Sequence, residues 1–460
     1  MIPRRILLIS SNRCDSPYPV FPLGLAHVDT ALRHAGHTTR FLDRQVSSEP
    51  LDEILTEFPP DVIGISLRNI DDILFTSQKT YFGDAVDLCR SVRHTCNCPI
   101  VLGGPAFSIF PEQLLALTGA DFGIHGAGEI AFNRLIEALA TGTDPGTIPG
   151  LVYRRGGRIV VNPRDRNQEG PLGRAERPPE LAAYYLRSSS MLSVSTQRGC
   201  GLPCCFCTYP LVEGRENRRR QPGDVADELA TIQALGARHV FIVDAVFNLT
   251  NEHVVGICEA ILRQGMKLGW TCFLRPKNLT AELLRLMARA GLTHIEFGSD
   301  SFCDEVLAQY GKTFSFDDIA SSSELARSAG IHCSHFVICG GPGETSQTLA
   351  TTFVNSRRLT NAVIFALPGM RIYPGTPLFS RALQEGQIST KTDLLQPTYY
   401  LPSSLSPEEL LEALERFRTQ ASNWIVDPLP PSFNEIARRL RQRGVVGPLW
   451  EYFGALRRQG

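Results

Sequence analysis

Short apolar runs that alternate with helical patterns constrain the fold of this chain more than any other feature of its sequence. In the first third of the chain, the runs occupy residues 6–10, 38–43, 62–66, 100–104 and 122–124. Strands that alternate with helices form a parallel, doubly wound sheet, and such sheets bind ligands at the carboxyl ends of their strands. Residues 1–145 are therefore predicted to form one α/β domain.

The predicted carboxyl ends of these strands are rich in small residues and glycine. A backbone without Cβ atoms can approach a large ligand closely. This edge of the Rossmann-like sheet is therefore predicted to bind a ligand through Leu67, Arg68, Asn69, Gly103, Gly104, Gly126, Gly128 and Glu129.

The alternation is interrupted between residues 146 and 186. Two apolar runs, 150–153 and 158–161, flank Gly156 and Gly157, and this pattern is typical of a β-hairpin. A polar stretch that contains proline and glycine follows. We interpret residues 146–186 as a hairpin and a linker between two domains.

A second series of strand–helix units begins near residue 191. Its apolar runs lie at 192–195, 239–243, 270–274, 294–297, 335–338 and 363–367. Six parallel units predict a partial, TIM-like (β/α)6 barrel over residues 187–385, open on one side, with its chemistry at the C-terminal strand ends. Residues 386–460 read as loop and helix, and predict a small helical region that packs over the barrel.

Three cysteines lie in one short loop directly after the first predicted strand of the barrel. Cys200, Cys204 and Cys207 have the spacing that lets three thiolates bind three irons of a [4Fe-4S] cluster. The fourth iron then has no protein ligand and can bind a cofactor or a substrate. A structural zinc loop or a chance grouping is the alternative, although no nearby histidine or second cysteine pair supplies the fourth ligand that zinc prefers.

Composition limits the compartment and the partners. The chain has 13 cysteines and no signal-peptide pattern, so we expect a reducing, cytoplasmic environment. Its net charge of −1 gives no reason to expect nucleic acid or an anionic membrane as a partner. No segment approaches the roughly 20 apolar residues that a membrane span needs.

The cysteine loop and the segments around it resemble the cobalamin-binding radical S-adenosylmethionine (SAM) enzymes, in particular the class B methyltransferases, over nearly the whole chain. The resemblance implies that the open iron chelates the amino and carboxylate groups of SAM. Reduction of the cluster then cleaves SAM to methionine and a 5′-deoxyadenosyl radical. The resemblance also implies an electron donor such as a flavodoxin or a ferredoxin.

The resemblance assigns further residues to SAM. Phe206 lies where the family places an aromatic ring near the adenine, and Asp244 where relatives contact the SAM amino group. Ser299 ends the fourth strand at an expected ribose or carboxylate contact. The fifth strand and its turn are similar to the adenine-binding segment of the family, through Ile338, Gly340, Gly341, Gly343 and Glu344.

The first domain resembles the family's cobalamin-binding module, which makes its glycine-rich edge a set of cofactor contacts. A generic nucleotide-type domain without a corrinoid is the alternative. The chain lacks the Asp-x-His-x-x-Gly motif, whose histidine coordinates cobalt from below in many such modules. We therefore expect a cobalt with water or no ligand on its lower face, crowded by Leu67 or Arg68.

Together these observations predict an enzyme that methylates an unactivated carbon of a small-molecule, lipid or natural-product substrate, using SAM and methylcobalamin. Two alternatives stay open at this point. One is a cobalamin-dependent radical SAM cyclisation or rearrangement without methyl transfer, and the other is a non-catalytic corrinoid-binding protein. No catalytic acid or base is identified, and one fold hosts many substrates.

Overall fold

The computed structural model describes residues 2–427 and 432–452. Two seven-stranded sheets dominate this part of the chain, one in each half. The predicted α/β fold class is confirmed, with a doubly wound sheet followed by an open, parallel sheet of barrel type.

The first sheet has the strand order β2-β1-β3-β4-β5-β6-β7, and its first five strands are parallel. In the strand β1 (Arg5–Ser10), residues 6–9 are completely buried, as expected for a parallel strand covered on both faces of the sheet. The strands are β1 (Arg5–Ser10), β2 (Thr38–Asp43), β3 (Val62–Ser66), β4 (Ile100–Gly103), β5 (Phe122–Ile124), β6 (Leu151–Arg155) and β7 (Arg158–Val161). The helices are α1 (Leu23–His34), α2 (Leu51–Glu57), α3 (Phe82–Thr95), α4 (Pro105–Ile109), α5 (Pro111–Thr118) and α6 (Glu129–Thr141).

The hairpin β6–β7 extends the first sheet. We predict it as part of the connection between the domains, but β6 pairs antiparallel with β5 in the structure, from Ile124 opposite Leu151 to Phe122 opposite Tyr153. Without this pairing, β5 would present an open edge to solvent. The hairpin thus belongs to the N-terminal sheet, and the connection to the second sheet begins only after β7.

The second sheet has the order β18-β15-β14-β13-β12-β11-β8, with every neighbouring pair parallel. Its strands and the short ribbons beside it are β8 (Leu192–Val194), β9 (Gln197–Arg198), β10 (Arg218–Arg219), β11 (His239–Ile242), β12 (Gly269–Leu274), β13 (Leu292–Asp300), β14 (His332–Cys339), β15 (Ala362–Pro368), β16 (Met370–Arg371), β17 (Tyr399–Tyr400) and β18 (Trp424–Val426). The helices are α7 (Pro179–Ser189), α8 (Tyr209–Val212), α9 (Pro222–Ala234), α10 (Asn251–Arg263), α11 (Ala281–Arg289), α12 (Asp304–Gln309), α13 (Phe316–Ser328), α14 (Ser346–Ser356), α15 (Pro377–Gln384), α16 (Pro407–Gln420) and α17 (Ser432–Gln442).

The C-terminal region supplies a seventh barrel strand in addition to the expected helices. β18 pairs in parallel with β15, and Trp424 is fully buried against the core of the barrel. The expected helices include α16 and α17. The described chain ends with the 3-10 turn Trp450–Tyr452, and residues 453–460 lie outside the described residues.

Buried polar contacts join the two sheets. Asp71, in the loop after β3, forms an ion pair of 2.8 Å with Arg371 in β16, and both side chains are almost inaccessible to solvent. On another side of the interface, the Tyr185 hydroxyl of α7 donates to the Asp43 carboxylate at 2.6 Å. Every helix in the described ranges is too short or too polar to span a lipid bilayer.

Candidate active site

The cysteine loop follows β8 and β9 at the C-terminal edge of the barrel sheet. Cys200 N donates to Gly214 O at 2.8 Å, which holds the start of the loop against its end. The turn requires glycine at position 199, because φ is +94° and a Cβ atom there would lie 1.9 Å from Glu216 O. Gly199 and this hydrogen bond therefore fix the backbone conformation at the start of the cysteine loop.

Cys200, Cys204 and Cys207 border one cavity of about 180 Å³, together with Phe206, Gly298, Asp300 and Lys312. We call it the cluster cavity. Among the described residues, no three metal-ligating side chains converge on a point where they would bind a single ion. A cubane takes each thiolate on a different iron, so three thiols around one cavity fit it without meeting at a single point. Cys205 instead packs in the protein core, with its sulfur 4.0 Å from the Met370 sulfur.

Lys312 places a buried positive charge beside the cysteine loop. It forms an ion pair with Asp300, and its Nζ atom also lies 3.5 Å from the Cys204 sulfur and 3.4 Å from Gly298 O. A cation there favours a thiolate-rich, negatively charged group in the cluster cavity. The sequence alone gives no signal for Lys312, since it is a single lysine in the loop after α12.

Ser299 does not face the cluster cavity, although we predict it as a SAM contact. Side chains alternate along β13, so its neighbours Gly298 and Asp300 line the cavity while Ser299 points to the opposite face. There the Ser299 hydroxyl is 2.8 Å from His335 Nδ1 and is fully buried. The predicted segment is therefore at the site, and the residues facing the cavity are one position away.

Asp244 braces the approach to the cysteine loop. Its carboxylate accepts hydrogen bonds from Thr196 N at 2.7 Å, Gln197 N at 3.2 Å and the Thr196 hydroxyl at 2.5 Å. Burial raises the pKa of Asp244 to about 7, against the effect of these donors. Both oxygens are thus used within the protein, and the next residue, Ala245, is the one that lines the cluster cavity.

The turn after β14 is held together by Glu344 and Tyr310. Glu344 Oε2 accepts from Gly340 N at 2.9 Å and from the Tyr310 hydroxyl at 3.1 Å. The same hydroxyl accepts from Gly341 N, and it lies 2.9 Å from Ile338 O. Burial raises the pKa of Glu344 to about 7. The described lining of the cluster cavity includes none of the five residues predicted to contact adenine, namely Ile338, Gly340, Gly341, Gly343 and Glu344.

The glycine-rich edge of the first domain surrounds a second cavity, also of about 180 Å³. Its floor is apolar and includes Leu25, Val101 and Phe132. Five of the predicted ligand residues line it, namely Gly103, Gly104, Gly126, Gly128 and Glu129. We call it the N-terminal cavity.

The backbone of the N-terminal cavity depends on glycine at position 104. Gly104 has φ +95° and ψ 172°, and a Cβ atom there would lie 2.4 Å from Leu67 O. At Gly103, by contrast, a Cβ atom would meet nothing within 4 Å. An apolar floor under a backbone without side chains fits a large cofactor with flat apolar parts, such as cobalamin.

Residues of the second domain complete the wall of the N-terminal cavity. Arg198, Val212, Glu213 and Arg218 line it from the segment that carries the cysteines. Arg198 forms an ion pair of 2.7 Å with Glu129. Although burial opposes ionisation of Glu129, the Arg198 charge holds its pKa at about 2. Arg198 is absent from the sequence prediction, although it stands only two residues before Cys200.

Arg68 lies within electrostatic reach of residues of both domains. Arg68 is exposed to solvent. The many protein atoms around its guanidinium nevertheless lower its pKa by burial. The groups that act on it electrostatically are Cys14 and Tyr18 of the first domain and Tyr209 after the cysteine loop. Leu67, by contrast, is 2% exposed, and Asn69 is half-buried. Of the three predicted loop residues, Arg68 is thus the one that faces both domains.

Two family models match the chain in separate segments. The Radical SAM superfamily matches residues 194–353, and the B12 binding domain matches residues 13–136. These segments contain the cysteine loop and the glycine-rich edge, respectively.

Relatives and solved structures match most of the chain. An uncharacterised methyltransferase of Pyrococcus horikoshii is 25% identical over 80% of both chains. The cytidylyl-2-hydroxyethylphosphonate methyltransferase of Streptomyces wedmorensis is 24% identical over 90% of this chain and 89% of its own. The fold matches the radical SAM methyltransferase TsrM of Kitasatospora setae, solved with cobalamin and a [4Fe-4S] cluster, at a TM-score of 0.88, with 22% identity over 99% of this chain and 98% of TsrM.

The two matched models account for both cavities. A B12 binding domain supplies the glycine-rich edge, and a radical SAM domain supplies the cysteine loop that borders it. The residues present fit both cofactors, because three thiols border one cavity and a side-chain-free backbone borders the other. The chain therefore combines a B12 binding domain with a Radical SAM domain, and it resembles the cobalamin-binding radical SAM enzymes.

Proposed function

We propose that this protein transfers a methyl group from SAM to an unactivated carbon of a small-molecule or lipid-like substrate. The observation that carries the proposal is the shared segment between the two cavities. Residues 198–218 contribute the cysteines to the cluster cavity and part of the wall to the N-terminal cavity. A chain that only carried a corrinoid would have no need of a second cavity bordered by three cysteines.

Each cofactor has a proposed set of holding residues. Cys200, Cys204 and Cys207 would bind the [4Fe-4S] cluster, and SAM would bind beside them against Phe206. Cobalamin would bind against Gly103, Gly104, Gly126, Gly128 and Glu129. When bound, the cluster supplies an electron for SAM cleavage and cobalamin supplies a methyl carrier. The external electron donor would be a small redox protein such as a flavodoxin or a ferredoxin.

The residues of the chain orient these groups and exclude water. Lys312 and Asp300 place a charge pair at the cluster cavity, and Phe206 and Phe273 give it apolar walls. Apolar walls strengthen electrostatic interactions inside the site and limit side reactions of a radical with water. Asp244 and Glu344 fix the loops around the cavity without facing it.

Arg68 is proposed to lie at the lower face of the cobalt. No histidine stands in this loop, and a guanidinium has no lone pair to donate because it stays protonated. A fixed positive charge there disfavours binding of a further ligand to a cobalt that carries positive charge. We expect the Co(II) form of the loaded protein to show no coupling to a protein nitrogen by electron paramagnetic resonance. A resolved coupling of that kind would contradict the assignment.

Product analysis tests the proposed function. The protein is reconstituted without oxygen with iron, sulfide and hydroxocobalamin, and incubated with SAM that carries a labelled methyl group and a strong reductant. We expect both S-adenosylhomocysteine and 5′-deoxyadenosine by mass spectrometry. Deoxyadenosine alone would favour a rearrangement or cyclisation, and neither product from a fully loaded protein would contradict an enzymatic role.

Two neighbouring cysteines give a matched control for this experiment. Cys204→Ala removes a proposed iron ligand, so we expect loss of the visible absorption of the cluster and of 5′-deoxyadenosine. Cys205→Ala changes a side chain that packs against Met370 and should retain both. Equal loss in the two variants would contradict the assignment of the three ligands.

A further inference from the structure

Glu296 is a buried carboxyl group on the inner face of the barrel that none of the roles above employs. It lies on β13, two residues before Gly298, which lines the cluster cavity. Alternate residues of a strand share a face, so Glu296 points inward about 7 Å below that cavity. Its register partner on β12 is Phe273, which also lines the cluster cavity. Glu296 therefore stands at the floor of the site.

Aromatic rings form the walls around Glu296. Phe241 and Phe273 pack with their ring centres 4.9 Å apart on one side. Phe336 and Phe365 stack with centres 5.0 Å apart and planes within 15° on the other. Phe273 and Phe336 are only partly buried although they face the inside of the barrel. Such walls suit a flat, apolar group.

One oxygen of Glu296 remains available to a ligand. Oε1 accepts a hydrogen bond of 3.1 Å from Trp450 Nε1. Within residues 2–427 and 432–452, no group donates to Oε2. Glu296 is 6% exposed, and burial raises its pKa to about 7. If the side chain served only to hold Trp450, glutamine would accept the same hydrogen bond without the penalty of burying an ionisable group.

The first domain reaches the same space. Burial raises the pKa of the Tyr18 hydroxyl, and the charge of Glu296 raises it further, which brings the two groups within electrostatic reach of each other. Tyr18 also lines a wide cleft between α7 and α17. These helices flank β8 and β18, the two edge strands between which the barrel is open. The cleft therefore lies on the open side of the barrel, and Tyr18 is its residue nearest in charge interaction to Glu296.

We propose that Glu296 anchors the substrate, accepting through Oε2 a hydrogen bond from an N–H or O–H group on a flat aromatic ring system held between the two phenylalanine pairs. The inference rests on the proposed function, and it names the chemical class of substrate that the function takes. It makes Glu296 a residue that contacts substrate, and Trp450 a positioning residue that fixes the carboxylate.

Two ring systems of the same shape test this proposal by equilibrium dialysis against the reconstituted enzyme with SAM. Indole carries an N–H group, and benzothiophene has sulfur in its place. A site that hydrogen-bonds a donor discriminates against the analogue without it, so we expect the wild type to retain indole about tenfold more strongly. Equal retention of the two probes, or retention of neither, would overturn the proposal.

Variants separate anchoring from a structural role. In Glu296→Gln the amide has one acceptor oxygen, which cannot serve both Trp450 and the substrate, so the preference for indole should fall to about onefold. Glu112→Gln makes the same change at an exposed residue of the first domain and should retain the preference. A Glu296→Gln protein that keeps the tenfold preference would also overturn the proposal. Thermal unfolding of both variants confirms that they are folded.

The proposed function can fail independently of this inference. Retention of indole requires no turnover, whereas methyl transfer is read from S-adenosylhomocysteine. If the protein prefers indole but forms no product, the result supports the anchoring role of Glu296 and contradicts the proposed reaction. If the protein forms product but shows no preference for indole, the result supports the proposed reaction and contradicts the anchoring role of Glu296.

Discussion

At the scale of single residues, Glu344 shows how a buried carboxyl group can serve structure. Its side chain ties the turn after β14 to Tyr310, and it lies outside the wall of the cluster cavity. Its pKa is raised from 4.5 to about 7, chiefly by burial. The free-energy cost of burying this carboxyl group is therefore lowest when the group is protonated.

Glu344→Gln should change how stability depends on pH. The folded protein binds the Glu344 proton more tightly than the unfolded chain, so this group loses stability as pH rises from about 4.5 to 7. Glutamine cannot ionise, so the variant should gain on the order of 2–3 kcal/mol relative to wild type between pH 5 and pH 8. Thermal unfolding at both pH values checks this. Glu112→Gln, an exposed change, should show no such gain, and a constant difference for Glu344→Gln would contradict the expectation.

The residues that face each cofactor could be predicted only in part. The cysteine spacing is local, so Cys200, Cys204 and Cys207 were identifiable without a structure. Ser299 stays a predicted SAM contact although its neighbour Asp300 lines the cluster cavity, because a β-strand pattern fixes alternation but not which face lines the cavity. Lys312 reaches the site through the tertiary fold, and no periodic or local signal marks it.

At the scale of elements, the turn between β4 and α4 shows how backbone geometry shapes the N-terminal cavity. Gly104 has dihedral angles that only glycine adopts without strain, whereas Gly103 has free space around it. The two positions are adjacent and both line the N-terminal cavity. They therefore form a matched pair for substitution.

Gly104→Ala should destabilise the protein and Gly103→Ala should not. The first change introduces a strained φ and a contact of 2.4 Å with Leu67 O, which should cost about 1–3 kcal/mol or more. The second adds a methyl group in open space, and we expect a change within about 0.5 kcal/mol. Thermal unfolding without cobalamin measures both. Equal effects would contradict the assigned backbone geometry.

Strands within the alternating strand–helix series were predictable, including the three-residue β5 and β8, and β18 outside that series was not. The five parallel strands of the first sheet and six of the second follow the apolar runs of the sequence. β18 has three residues, too few to show a period, and it forms because β15 and the buried Trp424 hold it in place. The hairpin was identified as an element, but its partner strand was not, since pairing depends on the edge that β5 leaves open.

At the scale of the whole molecule, the ion pair between Asp71 and Arg371 fastens the domains to each other. Arg371 also donates to Leu394 O at 2.7 Å and Ile372 O at 2.7 Å. Both charges are buried, so each depends on the other for compensation. The interface is therefore sensitive to the loss of one partner.

Arg371→Met should destabilise the folded chain by about 3–5 kcal/mol, because it leaves the Asp71 carboxylate buried without its partner. In a double-mutant cycle with Asp71→Asn, the combined loss should be smaller than the sum of the two single losses. Urea unfolding of the four proteins measures the coupling. Arg418→Met, at an exposed pair, should cost less than about 1 kcal/mol, and additive losses at the buried pair would contradict the coupling.

The shared wall of the N-terminal cavity has a consequence for how the enzyme matures. Arg198, Val212, Glu213 and Arg218 close that cavity from the same segment that carries the cysteines. A ribosome that has released only the first 145 or so residues has therefore produced a sheet with an unfinished pocket. We therefore expect the proposed corrinoid site to be complete only after the barrel has been synthesised and docked. We expect both cofactors to be acquired by one finished chain, and the halves produced by a gene split at the linker to bind cobalamin less tightly than the intact protein.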